Sequence, residues 1–188
     1  MMRLASGLAL LLALCVCVAN SAYAHGLPGS TLTFSQQGDR LALSVSFALE
    51  DLIIAEPTFE ALASKDDKAP SKALSATEKA QLSSYFKQHL SLQHAAKALP
   101  LTLVDASLKS QYHHDLGTYT VIESRFSAPL TQGTTALPLS LRYDAVMHEV
   151  RSHRAFVYWS TPEQAAIPMT NFVYRTVDGK PRVYVLDR

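Results

Sequence analysis

The sequence predicts a mainly β protein: an immunoglobulin-like β-sandwich with one inserted α-helix at about residues 76–93. Three observations carry that prediction. Short runs of two-residue hydrophobic alternation recur along the chain, one isolated stretch has helical spacing, and strands and helices do not alternate as βαβ units. A helix-inserted α+β domain is the alternative arrangement of the same elements.

Leu32 and Phe34 alternate with Thr31, Thr33 and Ser35. After Gln37-Gly38-Asp39, Leu41, Leu43, Val45, Phe47 and Leu49 alternate with small and polar residues, so the two runs read as a hairpin. Leu99, Leu101 and Leu103 alternate again, as do Leu137, Leu139, Leu141 and Tyr143. Pro138 cannot donate to a ladder, so that strand starts or runs at an edge there. Gly117 to Phe126 is rich in β-branched and aromatic residues, and Ala155 to Ser160 is a short apolar strand. FVYRTV and KPRVYVL flank Asp178-Gly179, the signature of a tight hairpin turn with positive backbone angles. Ser75 to Glu78 is a capping box, and Leu82, Tyr85, Phe86, His89 and Leu90 follow at helical spacing. Ser64 to Ser75 is polar and reads as a loop; Leu49 to Ala63 holds a short helical turn interrupted at Pro57. Leu43, Val45, Phe47, Leu139 and Leu141 are expected to share one apolar interior between two sheets, joined by Trp159 or its neighbours Phe156 and Tyr158.

The 188 residues hold 17 Lys+Arg against 16 Asp+Glu, which gives no basic footprint for nucleic acid and no polybasic membrane patch. Arg3 stands before Leu8–Val18, an unbroken apolar run of 11 residues, and Ala22-Tyr23-Ala24 supplies a small-x-small cleavage pattern. That order is a cleavable signal peptide over residues 1–24, too short to span a membrane, so residues 25–188 are expected as a single β-rich periplasmic domain. Both cysteines, Cys15 and Cys17, fall in the leader, leaving no disulfide. Cleavage after Ala24 makes His25 the N-terminal residue, a free amine beside an imidazole and hence a chelate for Cu(II).

No nucleophile elbow, glycine-rich phosphate loop, HExxH or CxxC occurs, so the expected protein is not an enzyme. The histidines are uneven. His113-His114-Asp115 precedes a strand, while His148-Glu149 and His153 lie between two strands. Imidazole with carboxylate oxygen is a ligand set for Zn, Ni and Cu. The candidate metal ligands are His114 and His153, joined by Asp115, His148 and the terminal His25. They converge if the strands after His114 and after His153 enter the sandwich from the same end. Binding at such a centre is expected to weaken below about pH 6, since protons compete for imidazole nitrogen. His89 reads as a histidine at the core edge, and Asp144 as a turn residue.

Several pieces in this order carry a resemblance: HGLPGSTLTFSQQGDRLALSVSFALEDL, the helix, YHHDLGTYTV, and LPLSLRYDAVMHEVRSHRAFVYW. The chain resembles the exported domains associated with HupE/UreJ-type membrane proteins. The matching positions are Ser30 and Leu32, Glu50-Asp51-Leu52, His114 with Asp115 and Gly117, Tyr143-Asp144, and His153-Arg154. The resemblance implies a partner, a membrane protein that moves nickel or a similar metal, and a stand-alone exported version here. A His-Gly start is also similar to copper monooxygenases with a histidine brace, in which His114 or His153 would be the second ligand. The leading expectation is an exported, non-enzymatic accessory protein with a transition-metal site. An envelope protein-protein interaction module without metal is the alternative, and a histidine-brace copper protein the third.

Overall fold

Apolar residues at every second position leave most of the chain half-buried in extended form. The computed structural model, which describes residues 27–63 and 71–187, gathers these stretches into two principal sheets. The expected leader, His25 and the Asp66-Asp67 segment lie outside the described residues. The elements are β1 (Ser30–Gln37), β2 (Arg40–Ala48), α1 (Leu49–Ala55), a 3-10 turn (Pro57–Leu62), β3 (Ser71–Ala73), α2 (Ala76–His89), β4 (Leu90–His94), β5 (Lys97–Leu99), β6 (Thr102–His113), β7 (Gly117–Pro129), β8 (Leu139–Tyr143), β9 (Arg154–Thr161), β10 (Gln164–Val173), β11 (Thr176–Val177), β12 (Lys180–Pro181) and β13 (Val183–Leu186).

The wide sheet runs β10-β9-β1-β2-β7-β6-β3 and the narrow one β13-β8-β4-β5. Neighbours in both are antiparallel except β1 and β9, which pair in parallel with Ser30 opposite Ala155 and Phe34 opposite Trp159. The fold is mainly β, a sandwich with one long helix, as the alternation predicts. Leu43, Val45 and Phe47 of the wide sheet and Leu139 and Leu141 of the narrow sheet belong to one core and are almost fully buried. Trp159 joins that core from β9. Phe86 of α2 packs edge-on against Phe126 and lies 6.0 Å, centroid to centroid, from Phe47. The helix thus covers the β2–β7 part of the wide sheet, while Tyr143 and Tyr184 of the narrow sheet meet Phe172 of β10. No helix among the described residues is long and apolar enough to cross a membrane.

The capping box forms as read: Ser75 N–H donates to Glu78 Oε2 at 2.8 Å, and Glu78 N–H donates back to Ser75 Oγ. The helix stops at His89, four residues before its expected end at 93. Leu90-Ser91-Leu92-Gln93 also has a period of two, and pairing with β8 (Leu90 opposite Tyr143, Leu92 opposite Leu141) buries both leucines and satisfies the backbone. The Asp178-Gly179 turn takes the expected positive φ at both residues. Its outer flanks diverge: Phe172 stays on β10 in the wide sheet while Val183–Leu186 pairs with β8. The hairpin is therefore a bridge from one sheet to the other, because Phe172 and Leu186 both face the core between them. β8 begins immediately after Pro138, where no ladder donor is missed.

One surface ion cluster ties α2 to the wide sheet. Lys79 Nζ lies 2.8 Å from Asp105 Oδ1, and Arg125 holds the second oxygen. The Lys79 ammonium first, and then the Arg125 guanidinium, hold the Asp105 carboxyl down to about 2. A carboxyl depressed in the folded state stabilises the fold above the ordinary carboxylate range, and that contribution disappears as pH falls through the folded value. Asp105→Asn should therefore flatten the loss of stability between about pH 4 and about pH 2 in urea-unfolding series, the upper limit being the ordinary carboxyl value. An acid limb identical to wild type would show that these pairs do not couple to folding.

Candidate functional site

Two groups of polar side chains meet at the end of the sandwich where β1 and β9 begin and β8 ends, and the loop Asp144–His153 joins them. The first group is buried. Ser30 N–H donates to His153 Nε2 at 2.8 Å. That nitrogen must then carry a lone pair, so the ring proton sits on Nδ1 and is donated to Asp51 Oδ2, also at 2.8 Å. Ser30 Oγ lies 2.8 Å from the same Nε2 and accepts from the Tyr143 hydroxyl at 2.7 Å. Burial, more than any neighbour, holds the Tyr143 phenol well above its usual range, which keeps it a donor. Asp51 arrives on the first turn of α1, directly after the β2 strand; Ser30 opens β1 and Tyr143 closes β8.

Serine, histidine and carboxylate in hydrogen-bonded sequence resemble a nucleophilic relay. Ser30, however, has no exposed surface, and Asp51, Tyr143 and His153 are buried around it. The arrangement holds the chain together where β1, α1, β8 and the loop before β9 meet. Buried polar groups are tolerated there because each has its partner.

The second group lies nearer the surface. After Tyr143 the chain turns inward: Ala145, Val146 and Met147 are fully buried, and Val146 N–H donates to the Tyr85 hydroxyl at 2.8 Å. Val146 holds a positive φ of 55°, and the His148 and Val150 amides donate back to the Asp144 and Val146 carbonyls. This tight plug throws His148 back over the last turn of α2, where its ring stacks on His89 with centroids 4.2 Å apart. Asp144 N–H donates to the His89 carbonyl, continuing the Leu90–Tyr143 register, and so brings the Asp144 carboxyl to the same place.

His89, Asp144 and His148 each offer a ligand atom, and these atoms all lie within 4.8 Å of one another. His89 Nδ1 is 3.5 Å from Asp144 Oδ2. Donors about 2.0–2.1 Å from a tetrahedral ion stand roughly 3.4 Å apart, so this pair already has the spacing. His89 Nδ1 is buried and has no hydrogen-bond partner. His148 Nδ1 lies 3.1 Å from the Asp144 carbonyl; with the proton there, Nε2 carries the available lone pair. Arg142 approaches the other Asp144 oxygen at 3.4 Å. Bringing all three donors to that spacing takes a contraction of up to about 1.4 Å and a rotation of one imidazole out of the stack, so that both ring planes meet at one ion.

Of the five expected ligands, His148 alone takes part. His153 does not meet His114, although the strands after them do enter from the same end. β9 and β7 are separated by β1 and β2, three steps of about 4.8 Å, and His114 stands beyond the sheet on the β6–β7 turn. Both ring nitrogens of His153 are already engaged. His114 is largely exposed and contacts Asp115 at 2.9 Å, within a local group completed by His113. His25 lies outside the described residues. The residues missed are His89, read as a core-edge histidine, and Asp144, read as a turn residue. Their signal was position: one ends the helix and the other ends a buried strand, and the two elements are adjacent.

A cavity of about 600 Å³ lies at the opposite end of the sandwich beside Trp159, Leu137 and Pro162. Its Gln36 amide is already bonded to the backbone of Gly38, Thr134 and Ala136, and among the described residues Glu163 is its sole titratable lining residue. The sequence matches no protein-family model and no curated protein.

Proposed function

We propose that this is an exported, non-enzymatic accessory protein that binds a transition metal through His89, Asp144 and His148, in support of a HupE/UreJ-type membrane transporter. The observation that carries the reading is a buried His89 Nδ1 that makes no hydrogen bond among the described residues, with an Asp144 oxygen 3.5 Å away and a second imidazole beside it. A buried nitrogen without a hydrogen bond is costly, and a metal ion shared with the Asp144 oxygen would satisfy it. The donor set is two nitrogens and one oxygen, which suits Cu(II), Ni(II) or Zn(II) and lacks the thiolate or thioether that Cu(I) favours. The leader pattern of residues 1–24 supports export. Four positions of the family resemblance, Ser30, Asp51, Tyr143 and His153, form one bonded group that anchors the loop bearing His148. That supports reading them as the support of a site rather than as its ligands.

Calorimetric titration of tag-free protein with Cu(II), Ni(II) and Zn(II) tests the proposal. His89→Ala/His148→Ala should weaken the tightest of these by at least about 100-fold, since each ligand or its support contributes about 10–100-fold. Binding should also weaken below about pH 6. Equal and weak affinity in both proteins would overturn the metal reading. It would favour the interaction module, for which one observation speaks: β13 ends the narrow sheet with Val183 and Val185 exposed along it.

A further inference from the structure

We infer that the His89–Asp144–His148 centre is a transfer site, holding its ion with three protein donors and leaving one position for an anionic donor from outside. The inference rests on the metal reading above and adds the chemistry of the partner. Nearby groups that would complete the shell are already engaged. The Tyr85 hydroxyl accepts the Val146 amide, the Asp144 carbonyl is held by His148, and the second Asp144 oxygen faces Arg142. Among the described residues the ligating group has no fourth member; Glu149, next in sequence to His148, does not belong to it. Three donors leave a four-coordinate ion open, as in catalytic rather than structural zinc sites. His89 and His148 are each half-buried while His89 Nδ1 and Asp144 are buried, so the group lies just beneath the surface.

Charge then selects the fourth donor. Asp144 is the one carboxylate, and Arg142 offsets it. A divalent ion in that setting keeps an excess of positive charge, which favours a carboxylate or thiolate over a neutral imidazole. A receiving protein that presents such a side chain would therefore enter the coordination shell before the ion leaves.

Azide, a small anion, is the probe. The Cu(II)-loaded full chain should develop a near-ultraviolet azide-to-copper absorption at millimolar azide, with copper retained after desalting. Arg142→Gln should weaken azide binding several-fold when measured on the copper-loaded variant, and neutral imidazole should compete poorly. The band should vanish in His89→Ala/His148→Ala. Failure of wild type to bind copper more tightly than that double variant overturns both the metal reading and this one. Copper bound at the site with an unchanged spectrum overturns the open position alone, as does azide that strips the copper. A band that persists in the double variant places the responding copper elsewhere and overturns the inference too.

Discussion

Replacing His153 by alanine should destabilise the fold by about 3–5 kcal/mol, because it strips a buried polar group of its centre. Asp51 loses the donor at its Oδ2, and the Ser30 amide loses its acceptor, both in surroundings from which water is excluded. Each orphaned group costs about 1–3 kcal/mol on its own. Asp51→Asn should cost less than His153→Ala, since an amide oxygen still accepts from Nδ1. Urea unfolding followed by the fluorescence of Trp159 measures both. A loss below about 1 kcal/mol for His153→Ala would mean that the loop relaxes or water enters to satisfy these groups.

Phe47→Ala should cost a similar about 3–5 kcal/mol, for a different reason: a cavity in a core that cannot collapse around it. Phe47 is 1% exposed and stands opposite Ile122, which is fully buried on β7, with Phe86 of α2 above. Its neighbours belong to a helix and a sheet that are fixed by other contacts, so the space stays open. Phe47→Leu should recover much of the loss by restoring volume. A cost below about 1 kcal/mol for the alanine variant would place Phe47 outside the packed interior.

The strands around Leu43 and Leu141 were legible because alternation is a local signal that burial on one face enforces. The capping box at Ser75 and the turn at Asp178-Gly179 were legible because each is complete within a few residues. The end of α2 was not: Leu90-Ser91-Leu92 fits both periods, and the choice is made by Tyr143 and Leu141 of a distant strand. The site was legible only in part for the same reason. His148 was singled out, but its partners come from the end of α2 and the end of β8, which are brought together by that same pairing. His153 has the composition of a loop ligand and yet is buried, because Asp51 and Ser30 arrive from two other elements to receive it. Nothing in the residues flanking a histidine reveals which way its loop will turn.

The parallel pairing of β1 with β9 also sets the order in which the molecule is assembled. A chain made from its N-terminus completes β1 and β2 early, and their short turn closes one edge of β1 at once. The other edge waits for Arg154 and the residues after it, so the wide sheet closes through contacts of high sequence separation, which form slowly. Until then β1 presents an unpaired edge, the kind of template that invites association between nascent chains. Closure is sterically exacting: a Cβ at Gly29 would stand 2.0 Å from the Arg154 carbonyl oxygen, so β9 seats against bare backbone. Ser30 and His153, 123 residues apart, bond only once that seating is complete. If the rate-limiting step precedes that seating, the cost of removing the His153 hydrogen bonds should fall on the unfolding arm of a chevron plot, with the folding arm nearly unmoved.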